Sequence, residues 1–377
     1  MGFLRLALAL LVVYYHAGGF AAPGALPDGL TAVQLFYVIS GFYMALVLNE
    51  KYRTPAMNWT FYTNRFFRLW PSMMVVALLT VAAFVVLDKV LLYHLEMGLG
   101  PFVDYLGTLP AGALAIAAIT NLTVIGQDWI WFMGFAPGGI SWSATQLDPA
   151  RNGASFLINH PTFTVAIEAT FYIVSPFIVR RSAWLAIGLA AAGFLYHIAI
   201  YLAGLDRYMW SYHFVASGAY FYFLGVCAYK AYAALGRLPP DWPYWRLLAR
   251  LEPAVFALAL GGLLLAWNVV RAPSLSMALI LAAVLPLLFR RTRRNAIDRK
   301  IGELSYSVYL IHFPLYLVLL DTVGGPAVLP LTIALALAGA ILLYITIEAP
   351  IDRWRQRRAT IAARAAPHAQ PATAPAE

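Results

Sequence analysis

The sequence predicts an all-α, polytopic transmembrane helix bundle of about ten spans. Of its 377 residues, 62% are hydrophobic and only 11% are charged, whereas soluble globular proteins contain about 45–50% apolar and about 25% charged residues. A helix that spans a bilayer needs about 20 mostly apolar residues, and such stretches follow one another along nearly the whole chain. They lie near residues 3–20, 31–49, 71–91, 103–126, 160–180, 183–203, 212–232, 253–270, 274–290, 302–321 and 328–350.

Basic residues between these stretches predict their orientation. Clusters of Lys and Arg follow the second, fifth, seventh, ninth and last stretches, and the positive-inside rule places such loops in the cytoplasm. Both termini are then cytoplasmic, which requires an even number of crossings. Because there are eleven apolar stretches, at least one of them cannot be a full span. Pro110 and Asn121 interrupt the stretch at 103–126. We therefore expect ten spans and a re-entrant or interfacial element between residues 92 and 159.

The chain is predicted to form one integral membrane domain over residues 1–356, followed by a tail over 357–377. The tail is rich in Ala and Pro and has no apolar period, so we expect it to be disordered and cytoplasmic. A single cysteine, Cys227, excludes a disulfide framework and a cysteine-based zinc site. The net charge of +9 comes from short basic bursts between spans. The expected partner is therefore the lipid bilayer and not a nucleic acid.

Polar side chains within apolar spans are the candidates for chemistry, because they are costly to bury in a membrane. His16 lies eleven residues after Arg5, which places it about 16 Å deeper along a helix. Glu168 and His312 are predicted at similar depths, about 18 Å and about 15 Å from the basic ends of their spans. Each residue alone could be a hydrogen-bonded packing residue. Two imidazoles and a carboxylate at one depth favour acid–base or nucleophilic chemistry near neutral pH.

A pair of arginines precedes the third stretch. Arg65 and Arg68 are three residues apart, so they share one face of a helix. They could serve only to orient the span, or their guanidinium groups could grip phosphates by directing two donors onto one anion. Glu348, near the end of the last stretch, is interpreted as a structural partner for arginines. The sequence contains no Walker loop, zinc-protease helix or Gly-x-Ser-x-Gly elbow, and no metal site is expected.

Taken together, these residues and the short sequence motifs around them resemble those of the bacterial membrane acyltransferase-3 family, which contains exopolysaccharide and lipopolysaccharide O-acetyltransferases. The family opens on an arginine, ten residues and a histidine, which Arg5 and His16 match. The resemblance continues in the family's order to Pro350, and the order of several phrases is more specific than any one of them. The later matches are LFYVISGF at 35–42, the arginine pair, Glu168 followed by Phe171 and Tyr172, FLGV at 223–226, SYSVYLIHFP at 305–314 and Glu348 before Pro350.

The resemblance implies a donor, an acceptor and a location. The donor is an acyl-CoA, with acetyl-CoA expected, the acceptor is a polysaccharide or lipid-linked glycan, and the location is the bacterial inner membrane. Arg5, Arg65 and Arg68 would bind the donor. His16 would act as a base on the acceptor hydroxyl or as a transient acyl carrier, and Glu168 would orient it or stabilise its charged form. Contacts to substrate or structural support are assigned to Ser40, Tyr172, Tyr309 and His312.

Two other functions fit a membrane protein with buried His and Glu. A proton-coupled secondary transporter, or an exporter of a glycan-related solute, would use these residues as a proton relay. No inverted repeat relates the two halves of the chain, which argues against a transporter. A membrane scaffold for a polysaccharide synthase would tolerate the loss of both His16 and Glu168. Uptake of a labelled solute without a covalent product would favour the transporter.

Overall fold

The computed structural model describes residues 1–18, 27–87, 107–148, 151–205, 208–239, 245–269 and 273–365. These residues form twelve α-helices and one antiparallel pair of strands. The strands are β1 (Met133–Ala136) and β2 (Gly139–Trp142). The helices are α1 (Gly2–Ala17), α2 (Gly29–Glu50), α3 (Asn58–Val85), α4 (Ala111–Thr123), α5 (Phe163–Ile178), α6 (Ala183–Leu202), α7 (Ala219–Leu235), α8 (Trp245–Val269), α9 (Pro273–Thr292), α10 (Ala296–Thr322), α11 (Val328–Leu343) and α12 (Ala349–Ala365).

The length and surface of the helices confirm a polytopic membrane bundle. Within the described ranges, seven helical segments are at least 18 residues long and apolar enough to cross a bilayer. Large apolar side chains face outwards, as Leu78 does at 68% exposure and Leu202 at 76%. Exposed apolar surface of this extent is suited to lipid rather than to water. All eleven predicted stretches overlap a helix, whereas the count of ten crossings stays a prediction.

The predicted re-entrant or interfacial element is described from residue 107 onwards. Helix α4 has 13 residues, or about 20 Å, which is too short to span the hydrocarbon core. After it comes the β1–β2 hairpin, in which Met133 pairs with Trp142. Asn121 donates to the Phe156 carbonyl at 2.8 Å and accepts from the Ile158 amide at 2.8 Å. The polar residue that interrupts the stretch therefore ties α4 to the segment that leads into α5.

Basic residues join several helix ends on one side of the bundle, which we call the basic end. Arg180, just after α5, donates to the Tyr52 carbonyl just after α2, at 2.6 Å. Lys230 of α7 donates to the Arg181 carbonyl at 2.8 Å. Helices α2, α5 and α7 therefore end on the same side. This grouping agrees with the orientation that the positive-inside rule predicts, and the cytoplasmic placement of the basic end stays a prediction.

Glycines let α2 and α7 touch backbone to backbone. A Cβ atom on Gly225 of α7 would lie 1.9 Å from the Val38 carbonyl oxygen of α2, and one on Gly41 of α2 would lie 1.9 Å from that of Tyr222. Only glycine fits at such contacts, and small residues at helix interfaces allow close packing in membranes. The glycines of the ISGF and FLGV phrases therefore set the position of α2, and with it that of Ser40.

Helices α1 and α10 run side by side in the same direction. At the basic end, a Cβ atom on Gly302 would lie 2.6 Å from the Gly2 Cα atom, and the Gly2 amide donates to the Asp298 carboxylate at 2.8 Å. Further along both helices, the rings of His16 and His312 are in contact. The two helices thus carry both histidines away from the basic end and bring them together.

The predicted tail differs from the structure in its first part. Helix α12 runs to Ala365, so the boundary predicted at residue 357 falls inside a helix. Arg and Ala are among the best helix formers, and their density after residue 350 explains why the helix continues. Residues 366–377 of the predicted disordered tail lie outside the described residues.

Candidate active site

A cavity of about 390 Å³ lies between α1, α2, α3, α5 and α10. Its volume falls within the range of about 300–1,000 Å³ that is typical of ligand sites. On α2 its lining extends from Val33 to Val47, a distance of about 21 Å along the helix. Arg293 and Arg299 lie where the cavity meets the basic end, and Tyr309 lies at the other end of its lining on α10. The cavity is therefore an elongated cleft that runs from the basic end into the bundle.

The three predicted donor-binding arginines, Arg5, Arg65 and Arg68, all line this cavity. The Arg65 guanidinium carbon lies 5.9 Å from the Tyr172 ring centroid, and that of Arg5 lies 6.0 Å from the Tyr43 centroid, distances at which cations are attracted to aromatic faces. In the described part of the chain, none of the three forms a salt bridge with a carboxylate. The cavity therefore presents positive charge that is free to bind an anionic ligand.

Glu168 lies in the same cavity as the arginines. Ser40 donates to its Oε1 atom at 2.5 Å, and Tyr172, one turn further along α5, donates to the same oxygen. The sequence predicts that Glu168 orients His16, but no hydrogen bond joins the two residues within the described ranges. The carboxylate belongs to the cavity wall, where Ser40 and Tyr172 hold one of its two oxygens.

Tyr309 and Thr164 close the inner end of the cavity, and both line it. Their hydroxyl groups are 2.7 Å apart, and the Tyr309 hydroxyl also donates to the Pro161 carbonyl at 2.8 Å. Neither His16 nor His312 lines the cavity. The phenol of Tyr309 therefore stands between the elongated cleft and the two histidines.

The two histidines form a bonded pair just beyond this wall. His312 Nε2 lies 3.1 Å from His16 Nδ1, and the ring centroids are 5.1 Å apart. The second nitrogen of His312, Nδ1, lies 2.6 Å from the Tyr309 carbonyl. Tyr309 precedes His312 by three residues, or about 4.5 Å along the helix. Tyr309 therefore closes the cavity with its side chain and holds the histidine pair with its backbone.

Comparison with known families identifies the chain. A family model described as an acyltransferase domain matches residues 1–348. The chain belongs to the acyltransferase-3 family. The match extends over every residue of the cavity and of the histidine pair, which confirms the resemblance seen in the sequence. No curated protein and no solved structure matched the chain. The protein is therefore a membrane acyltransferase.

In this acyltransferase-3 protein, the closing glutamate lies beside the cavity rather than in it. Glu348 Oε1 accepts from Ser307 at 2.5 Å and from Ser72 at 3.0 Å. Within the described residues Glu348 forms no salt bridge, but it interacts electrostatically with Arg68 and Arg5, so it is a structural partner of arginines without a direct ion pair. Arg68 lies next to it in a small void of about 30 Å³. Glu348 therefore ties α3 and α10 together through hydroxyl groups.

Sequence reasoning missed two residues beside the histidine pair of this acyltransferase. Pro314 has no N–H, which leaves the Leu310 carbonyl of α10 without an intrahelical donor, and Asn159 donates to that carbonyl at 2.9 Å. The His160 ring lies 5.7 Å from that of Phe313, which also contacts His16. Asn159 stands just before the apolar stretch at 160–180 and His160 is its first residue, so their place beside the histidine pair was not evident. The proline within SYSVYLIHFP was the available signal.

Proposed function

We propose that the protein transfers an acyl group, expected to be acetyl, from cytoplasmic acyl-CoA to a hydroxyl of a cell-surface or exported polysaccharide in the bacterial inner membrane. The observation that carries the proposal is the elongated cavity. It is lined by arginines that form no salt bridge among the described residues, and it leads towards the pair of His16 and the buried His312. The family membership supports acyl transfer, and the chemistry of the cavity supports a phosphorylated donor.

The arginines suit the charged part of the donor. Coenzyme A carries several phosphate groups, and guanidinium groups bind phosphate through paired hydrogen bonds. Arg5 and the pair Arg65 and Arg68 converge on the cavity from two helices, and their positive charge attracts a polyanion. The nucleotide would remain near the basic end, while the narrow pantetheine arm would extend along α2 towards Tyr309.

Glu168 is better placed to bind the pantetheine arm than to assist His16. The arm contains two amide N–H groups, and a carboxylate in a largely apolar wall is a strong acceptor for them. Ser40 and Tyr172 hold the carboxylate through Oε1, and Oε2 takes part in neither bond. We therefore assign Glu168 to donor binding and position, with Ser40 and Tyr172 as its supports.

The transfer itself is assigned to His16. As a base, its Nε2 atom takes the proton of the acceptor hydroxyl, and the oxygen attacks the thioester carbonyl. The C–S bond then breaks, and the CoA thiolate takes the proton from the imidazolium. As an acyl carrier, Nε2 attacks the thioester and releases the thiolate. The hydroxyl then attacks the acyl-imidazole and gives its proton to the thiolate. Both routes require a Nε2 atom with a free lone pair.

Tyr309 must move before the thioester can reach His16. Its phenol ends the cavity about one helical turn short of the histidine pair, and its hydroxyl is held by Thr164 and the Pro161 carbonyl. Breaking these bonds costs about 1 kcal/mol each, which donor binding at the arginines can offset. The acceptor would approach His16 from the side opposite to the cavity.

The proposed function is tested on the glycan product. Cell-surface glycan is isolated from cells that lack the protein and from cells that express the wild type or His16→Ala, with membrane insertion checked by fractionation. Mass spectrometry should detect an acyl increment with the wild type only. Identical glycan masses in all three samples would contradict the proposal, and uptake of a solute without a covalent product would point to a transporter.

A further inference from the structure

We propose that His312 is a positioning residue for His16, and that the pair leaves Nε2 of His16 as the reacting nitrogen. This inference deepens the proposed function and rests on it. It specifies which of the two ring nitrogens of His16 takes the proton or the acyl group, and which neighbouring atom stabilises the charge that forms there.

Backbone carbonyls identify the protonated nitrogens of the pair. The Val12 carbonyl oxygen lies 3.0 Å from His16 Nδ1, and the Tyr309 carbonyl oxygen lies 2.6 Å from His312 Nδ1. A carbonyl oxygen can only accept a hydrogen bond, so each Nδ1 atom carries a hydrogen. A neutral imidazole has one N–H and one lone pair. Both Nε2 atoms therefore carry lone pairs.

The contact between the two rings agrees with this assignment. His312 Nε2, which has a lone pair, lies 3.1 Å from His16 Nδ1, which has a hydrogen. His16 is therefore the donor and His312 the acceptor, and the hydrogen on His16 is shared with the Val12 carbonyl. The Nε2 atom of His16 lies on the far side of its ring from both acceptors. It is the one nitrogen of the pair that none of these three bonds uses.

Burial and bonding keep the pair neutral and oriented. His312 is fully buried, and in the described part of the chain no carboxylate bonds to either histidine. A buried charge without a partner is costly, so the uncharged form of His312 is favoured. His312 therefore does with a neutral imidazole what the aspartate does in a Ser-His-Asp triad. It fixes the tautomer of the base and accepts from the imidazolium that forms.

The contribution of His312 is expected to grow during the reaction. When Nε2 of His16 gains a proton or an acyl group, the ring becomes positive and its Nδ1–H becomes a stronger donor. An acceptor that is already in place then stabilises the charged ring more than the neutral ring. Loss of this acceptor should lower kcat and leave the KM for the donor unchanged. We expect about a 10- to 100-fold loss, because the bond is made to a charged group.

A matched pair of variants separates this role from simple packing. In His312→Gln, the amide oxygen can reach the position of Nε2 and accept from His16. In His312→Asn, the shorter side chain keeps the bond to the Tyr309 carbonyl but offers no acceptor to His16. Kinetics are measured in nanodiscs with acetyl-CoA and glycan from cells that lack the protein. His312→Asn should lower kcat by about 10- to 100-fold, and His312→Gln should recover part of the loss. Wild-type kcat in His312→Asn, or no difference between the variants, would overturn the inference.

The ¹⁵N spectrum of protein labelled at histidine provides a readout that does not depend on activity. The His16 signals, assigned by comparison with His16→Ala, should show a protonated Nδ1 and an unprotonated Nε2. A protonated Nε2 in the neutral ring would overturn the inference at once. Full transfer by His16→Ala would end the proposed function, whereas an inactive His16→Ala beside a normal His312→Asn would end only the role of His312.

Discussion

The cavity and the histidine pair satisfy their polar groups in opposite ways. Among the described residues, the three arginines of the cavity form no salt bridge and Glu168 accepts hydrogen bonds through one of its oxygens, so charged groups remain available to a ligand. In the pair, three of the four ring nitrogens are bonded within the bundle. The first arrangement suits binding, and the second suits chemistry at a single nitrogen. Substitutions in the two regions should therefore change different kinetic constants.

The largest expected effect is the loss of the His16 imidazole. His16→Ala should lower kcat by about 10²- to 10⁴-fold, the usual contribution of a general base, while the affinity for acetyl-CoA stays unchanged. His197→Ala is the matched control. That histidine is also partly buried, and its one hydrogen bond among the described residues is to the Ser217 backbone carbonyl. Equal losses of kcat per folded molecule in both variants would argue that His16 has a packing role.

The next effect concerns the arginines of the cavity. Arg68→Ala should raise the KM for acetyl-CoA by about 10- to 100-fold, because a hydrogen bond to a charged phosphate is lost. Arg68→Lys keeps the positive charge but cannot make paired hydrogen bonds to one phosphate. Its KM for acetyl-CoA should lie between those of the wild type and Arg68→Ala. The exposed Arg237 supplies the control variant Arg237→Ala. A fall in kcat at saturating donor without a change in KM would contradict the assignment of the cavity to binding and of the histidine pair to chemistry.

Substitutions in the helix packing that supports both regions should change the stability of the protein rather than its kinetic constants. Gly225→Ala puts a Cβ atom 1.9 Å from the Val38 carbonyl oxygen, whereas Gly188→Ala meets no atom within 4 Å. Overpacking should destabilise the Gly225→Ala protein by about 1–3 kcal/mol. Thermal unfolding in detergent compares the two variants with the wild type. Equal melting temperatures would contradict the backbone contact between α2 and α7.

The smallest expected effect lies at the wall between the regions. Tyr309→Phe keeps the ring but removes the hydroxyl that bonds to Thr164 and to the Pro161 carbonyl. A looser wall should admit a longer acyl group. We expect the rate with propionyl-CoA relative to acetyl-CoA to rise about threefold, the value of one weak hydrogen bond. An unchanged ratio would indicate that the wall does not limit the size of the acyl group.

The sequence predicted the parts of the site that depend on depth along a helix. The rise per residue and the basic loops placed His16 and His312 at one level, and the pair is in contact in the structure. Arg65 and Arg68 share a cavity, as their spacing indicates. These properties are local to one helix, so the pattern of one chain is sufficient to infer them.

The sequence did not predict the partners that depend on how neighbouring helices rotate and cross. Glu168 bonds to Ser40 and Tyr172 rather than to His16. The rotation of α2 that brings Ser40 there depends on the contact at Gly41 and Gly225, a property of two helices together. The sequence did not predict that α12 continues to Ala365. The segment has no apolar period, which favours disorder, but its Ala and Arg residues have high helix propensity.

Equilibrium binding of labelled acetyl-CoA in nanodiscs tests most directly whether the arginines bind the donor and His16 serves only the transfer. The wild type, His16→Ala and the double variant Arg65→Ala/Arg68→Ala are compared at one salt concentration. We expect His16→Ala to bind with the wild-type Kd although its kcat is lower by about 10²- to 10⁴-fold, and we expect the double variant to lose binding. Lost binding in His16→Ala, or wild-type binding in the double variant, would contradict the account.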